Sequence, residues 1–139
     1  MAENYQLTQK AKKILGNARR IAMHQYSEII GTHHLLGGII NEEGCVAYRV
    51  LRDLGIDQDV IFTAIEEEKF PEREFQLRLG EDIKKTLEYA VEEAEKDQSP
   101  MVGTEHILLG LSRDPEFKGM DILIRFGITP EQLRRHTNR

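Results

Sequence analysis

The sequence predicts an all-α protein built as two tandem four-helix repeats related by a pseudo-twofold. The first observation behind this is an internal duplication. Gly31-Thr-His-His-Leu-Leu-Gly-Gly-Ile39 returns 72 residues on as Gly103-Thr-Glu-His-Ile-Leu-Leu-Gly-Leu111. At the same offset Ala18 and Ala22 fall on Ala90 and Ala94, Leu51 on Leu123, and Gly55-Ile56 on Gly127-Ile128. Self-similarity at a fixed period means two copies of one supersecondary unit packed together. The second observation is helical spacing of apolar residues along nearly the whole chain, and the third is a scarcity of strand-favouring runs. The predicted layout is a single domain over 1–139, with one repeat over about 8–67, a connector over about 68–80 and a second repeat over about 81–137.

The elements follow in order. Ala11, Ile14, Leu15, Ala18 and Ala22 keep the i, i+3, i+4, i+7 rhythm of a helix behind Thr8, an N-cap residue; Ile83, Leu87, Ala90, Val91 and Ala94 repeat it behind Gly80. A second, densely apolar helix starts at Thr32 and again at Thr104, each threonine read as its N-cap. A third carries Val46, Ala47, Val50, Leu51 and Leu54 and stops at Gly55; its copy carries Ile122, Leu123 and Phe126 and stops at Gly127. The fourth opens at Asp57 in the first repeat. In the second it opens with Thr129-Pro130-Glu131-Gln132, a cap, a proline at the first helical position and a capping-box glutamine. Between the repeats, Glu66 to Phe75 is charged and aperiodic, with Phe70, Phe75 and Leu77 expected to tack it to the surface.

Composition narrows the class. A chain of 139 residues buries about two-thirds of its unfolded surface and needs no metal or disulfide to fold. The single cysteine, Cys45, fits a reducing compartment and a packing role opposite its copy Phe117. No segment has the apolar length of a membrane span, and Met1-Ala-Glu-Asn-Tyr5 lacks the pattern of a secretory signal, so a cytoplasmic location (or an organelle stroma) is expected. A net charge of −5 spread over both halves argues against a nucleic-acid-binding face. Gly37-Gly38 lacks the lysine of a phosphate cradle, and no ATPase motif occurs elsewhere. No cofactor, metal or catalytic residue is expected.

The doubled Gly-Thr-x-His-[Leu/Ile]-Leu-x-Gly-[Ile/Leu], with Thr8-Gln-Lys-Ala-Lys-Lys-Ile-Leu15 before it and Val50-Leu-Arg-Asp-Leu-Gly-Ile56 after, resembles the Clp N-terminal domain, closest to the ClpC-like branch of AAA+ unfoldases. The resemblance implies an eight-helix, non-catalytic module that recognises unfolded or tagged protein substrates and adaptor proteins, and passes them to a Clp ATPase and protease core. Some ClpC-like members read phosphoarginine as a degradation mark. There, the glutamate after Gly-Thr holds the guanidinium and a threonine opening each repeat's first helix lies near the phosphate. A carboxylate suits the guanidinium because it accepts two parallel N–H bonds, and a helix N-terminus suits the phosphate because its N–H groups are unpaired.

Here that set is split. The second copy has Glu105 where the first has His33, and the first has Thr8 where the second has Gly80, so read copy by copy neither set is complete. His33 binds phosphate only when protonated and cannot accept from a guanidinium while it is so. The expected binding residues are Thr8, Thr32, His33, Gly80, Thr104 and Glu105, and Tyr5, Phe75 and Leu79 are expected to form an apolar peptide or adaptor surface. For Glu105 the alternative is a carboxylate in a first helical turn, stabilising by a few tenths to about 1 kcal/mol. His34 and His106 are expected to make structural hydrogen bonds, and His33 and His34, adjacent on a helix, to point apart. Two other readings stay open: a free-standing accessory that docks on a Clp core and modulates loading, and a small hydrolase using His24, His33, His34 and Glu105.

Overall fold

Alanine-lined helices and glycine-bearing ones meet face to face, and that pairing sets the architecture. The computed structural model describes residues 6–138. The first repeat contributes α1 (Gln9–His24), α2 (Thr32–Ile40), α3 (Val46–Asp53) and α4 (Gln58–Ile65); the second contributes α5 (Glu81–Lys96), α6 (Thr104–Leu111), α7 (Lys118–Arg125) and α8 (Pro130–Thr137). Ala11, Ile14, Ala18 and Ala22 of α1, and Ile83, Ala90 and Ala94 of α5, are fully buried. The small side chains of the alanines let α2 and α6 approach the helix backbones. A Cβ on Gly38 would lie 2.4 Å from the Ile14 carbonyl oxygen, and one on Gly110 would lie 2.6 Å from that of Thr86. The second glycine in each copy of the motif is thus a site of backbone contact.

All of α2 is buried, and so is all of α6 except Glu105. These two helices form the centre. Besides packing on α1, α2 packs on α7 of the other repeat; besides packing on α5, α6 packs on α3. The helix ends follow the sequence signals. Gly55 and Gly127 have φ of 88° and 84°, the left-handed region glycine enters without a Cβ penalty. Asp57 caps α4, and Thr129 and Gln132 form the reciprocal capping box of α8. Cys45 is buried and caps α3, its Sγ accepting from the Tyr48 N–H at 3.4 Å.

Among the described residues four two-residue strands add to the all-α expectation: β1 (Gln6–Leu7), β2 (Ile29–Ile30), β3 (Arg78–Leu79) and β4 (Met101–Val102). They form two parallel pairs, β1 with β4 and β2 with β3. Two residues carry no readable alternation, which is why the pattern along the chain holds no sign of them. The connector between α4 and β3 is held by Arg73, which donates to the Tyr26 carbonyl at 3.1 Å, and by Phe75, edge-on to Tyr26 at 6.3 Å. No helix among the described residues is long and apolar enough to cross a membrane.

Candidate functional site

Each strand pair aligns two helix N-termini from different repeats. Leu7 is registered with Val102, and the Thr8 N–H donates to the Val102 carbonyl at 3.0 Å. The chain then enters α1 on one side and α6 on the other, so these N-termini lie side by side. In the second pair Leu79 is registered with Ile30, and the Gly80 N–H donates to the Ile30 carbonyl at 2.9 Å, which sets the start of α5 beside that of α2. Two adjacent N-termini add their unpaired N–H groups and positive dipole ends at one place.

A third helix joins each cradle through a threonine. The Thr104 hydroxyl accepts from the Ala47 N–H at 3.1 Å, and the Thr32 hydroxyl accepts from the Gly119 N–H at 2.9 Å. This corrects the expectation that Thr32 and Thr104 cap their own helices. The caps of α2 and α6 are Gly31 and Gly103, and the threonines cap the neighbouring α7 and α3 instead. The orphan N–H of each glycine goes to a histidine: Gly31 to His34 Nδ1 at 3.0 Å and Gly103 to His106 Nδ1 at 2.9 Å. With Nδ1 accepting, Nε2 carries the proton and donates to Gln25 at 2.7 Å in His34, and to Asp97 at 2.8 Å in His106. Both matched histidines make the structural bonds expected of them. Burial and the adjacent His33 push His34 down to about 3.

The predicted residues are therefore dealt out by cradle and not by copy. Thr8, Thr104 and Glu105 share the first cradle; Thr32, His33 and Gly80 share the second. Read copy by copy both sets stay incomplete, and the crossed strand pairing regroups their residues. The first cradle holds both residues that the resemblance assigns, and the second holds neither.

In the first cradle Thr8 Oγ1 accepts from the Ala11 N–H at 3.1 Å, which leaves its proton to donate. Glu105 is the one residue of α6 that is not buried, and it makes no hydrogen bond or ion pair among the described residues. Its carboxylate lies over Gly103, where a Cβ would meet Oε1 at 2.3 Å. Lys10 adds a cation, bound to Glu42 at 3.1 Å.

The second cradle is different. Asp82 stands 72 residues after Lys10, and one of its oxygens accepts from both the Thr32 N–H, at 3.0 Å, and the Thr32 hydroxyl, at 2.8 Å. His33 is buried and donates through Nε2 to Glu68 at 3.0 Å, and Glu68 is also paired with Lys118. Burial pushes His33 below its ordinary value despite Glu68. That favours the neutral ring, and its Nε2 is engaged by Glu68. The His33 and His34 rings do not point apart: their centroids are 3.9 Å apart with a 35° tilt, since one is pinned to the connector and the other to α1's end. Among the described residues no group of three His, Cys, Asp or Glu side chains is placed to hold a metal. A cleft of about 490 Å³ opens at this cradle, lined by Ile29, His33, Phe70, Arg73, Gly80 and Phe117 among others.

The predicted apolar surface is scattered. Leu79 is 41% exposed on β3 opposite Ile30, whereas Phe75 is half-buried in a groove with Arg19, Met23 and Leu77. Tyr5 lies outside the described residues. Reasoning from sequence missed Asp82, although its opposition to Lys10 at the repeat offset was readable. It also missed Glu93, which is 2% exposed and clamped by Arg113 at 2.8 Å and Arg134 at 2.9 Å.

The sequence profile of the Clp repeat (R) N-terminal domain matches residues 6–126 and 78–139. Over 132 residues, 92% of the chain, it is 33% identical to a probable ATP-dependent Clp protease ATP-binding subunit of Chlamydia pneumoniae. Over 130 residues, again 92% of the chain, it is 32% identical to the negative regulator of genetic competence ClpC/MecB of Bacillus subtilis. In both cases the match spans only 16% of the relative's length. Among solved structures, the Hsp104 N-terminal domain of Candida albicans superposes with a TM-score of 0.77 at 19% identity, covering 95% of this chain and 89% of that one. A ClpV N-domain in complex with a VipB peptide gives 0.75 at 18% identity, covering 94% and 84%.

Proposed function

The chain belongs to the Clp repeat (R) N-terminal domain family, and on that premise we propose that it is a non-catalytic recognition domain, docking protein substrates or adaptors for a Clp-type ATP-dependent unfoldase and protease. The observation that carries the reading is the meeting of Thr8 and Glu105 at one pair of helix N-termini. An anionic group there takes N–H bonds from the first turns of α1 and α6 and the proton of Thr8. A guanidinium attached to that anion is held by the Glu105 carboxylate, which accepts two N–H bonds in one plane. The ligand combining both charges in one side chain is phosphoarginine. Met101, exposed on β4 at the same strand pair, supplies apolar surface for neighbouring peptide residues, and Leu79, on β3 at the other strand pair, is a separate apolar surface for an adaptor. The ClpV N-domain complex with a VipB peptide supports peptide capture by this fold. Individual affinities are modest and are multiplied where several such domains sit on one ring.

The test is a calorimetric titration of free phosphoarginine, with arginine as control. The reading expects saturable binding of phosphoarginine only, lost in Glu105→Ala. Equal heats for the two ligands, or binding unchanged in Glu105→Ala, would contradict it.

A further inference from the structure

The duplication supplies two cradles of one design, yet one matched position differs in sign, Lys10 in the first and Asp82 in the second. At the first, that position is Lys10, whose ammonium is turned to Glu42, and the Thr104 and Glu105 N–H groups have no acceptor among the described residues. At the second, the same register position is Asp82, and its carboxylate oxygen sits on the Thr32 N–H and hydroxyl at 3.0 and 2.8 Å. A carboxylate at a helix N-terminus occupies the place, and the N–H group, that an incoming anion needs. Gly80 provides no hydroxyl where the first cradle has Thr8, and His33, bound to Glu68, provides no carboxylate where it has Glu105. Glu81, beside Asp82 in the first turn of α5, adds a second negative charge.

We infer that Asp82 is a built-in occupant of the second cradle, and that this domain is a one-site reader of anionic marks in a fold with two equivalent places for them. The closure is intramolecular and therefore independent of ligand concentration. An anion can enter only by displacing a carboxylate already holding two hydrogen bonds, and by facing its charge once displaced. Asp82 thereby decides which cradle works. The inference deepens the functional reading above and rests on it for the first cradle, while the closure of the second can be tested separately.

The experiment titrates inorganic phosphate into the native domain and into Asp82→Ala, following backbone amide resonances. In the native domain the amides of Gly103, Thr104 and Glu105 are expected to shift, while those of Gly31, Thr32 and His33 stay still. In Asp82→Ala both sets are expected to shift, the Thr32 amide most. If Asp82→Ala loses amide dispersion, Asp82→Lys serves instead, since it removes the oxygen from Thr32 and puts there the residue that stands at this position in the first cradle. Shifts at Thr32 in the native domain would overturn the inference, and so would a folded Asp82 variant in which Thr32 stays still. Silence at Gly103 to Glu105 would count against the first cradle alone, because closure by Asp82 is measured at Thr32.

Discussion

The hydroxyl of Thr104 accepts the N–H of Ala47 at 3.1 Å, so a threonine of the second repeat caps a helix of the first. Thr32 does the same for Gly119 in the other direction at 2.9 Å. These reciprocal caps sit where the repeats meet and, with the Asp82–Thr32 bonds, make the interface polar and directional. Thr104→Val keeps the shape and deletes the acceptor, stranding a buried N–H. A loss of about 1–2 kcal/mol in denaturant unfolding is expected, with Thr104→Ser close to native.

The close helix crossings make a second prediction. A Cβ at Gly110 meets backbone, the Thr86 oxygen at 2.6 Å and the Ala90 nitrogen at 3.0 Å. At Gly37 it meets only the side-chain ends of Ile21 and Ile65, at 2.8 and 2.9 Å. Gly110→Ala must push two helices apart, at about 1–3 kcal/mol, and Gly38→Ala should behave alike. Gly37→Ala needs only two isoleucine ends to turn, and alanine's better helix propensity offsets part of that. Thermal unfolding of the three variants should rank Gly37→Ala as clearly the most stable.

Acid stability is set in two windows. His34, held neutral and pushed from 6.5 to about 3 by burial and then by His33, gains its proton more readily when unfolded. Its contribution is complete above pH 6.5 and is lost as pH falls towards 3. Glu93 is lowered from 4.5 to about 2, chiefly by its hydrogen bonds to Arg134 and then Arg113, against the cost of burial. A depressed carboxylate stabilises above its unfolded value, so its share, about 3 kcal/mol, disappears between pH 4.5 and about 2. Glu93→Gln should therefore be destabilised at pH 7 and should approach the native protein's stability near pH 2. A constant gap between the two across that range would contradict this assignment.

The helices, their glycine stops and the alanine faces were legible because each is a local pattern or a repeat of one. Thr129-Pro130-Glu131-Gln132 announced a helix start, and the structure has it there. What sequence could not show was which repeat's threonine meets which repeat's glutamate, since that depends on two-residue strands too short to carry a pattern. Thr8 and Glu105 therefore looked like remnants of two sites until the β1–β4 pairing brought them together. The role of Thr32 and Thr104 was misread for a related reason. A threonine after glycine reads as a local cap, while the N–H groups they serve lie far along the chain. Asp82 shows a different limit: its charge was visible in the sequence, but its seat on Thr32 follows only from the second strand pair.

The central claim is that Thr8 and Glu105 serve one site, and phosphoarginine stoichiometry tests it most directly. Thr8→Asp keeps a good helix cap but sets a negative charge beside the phosphate position. The account predicts one bound phosphoarginine per native chain, with Thr8→Asp and Glu105→Ala each abolishing that same event. Two equivalents bound by the native chain, with each substitution removing only one of them, would place Thr8 and Glu105 in separate sites and contradict it.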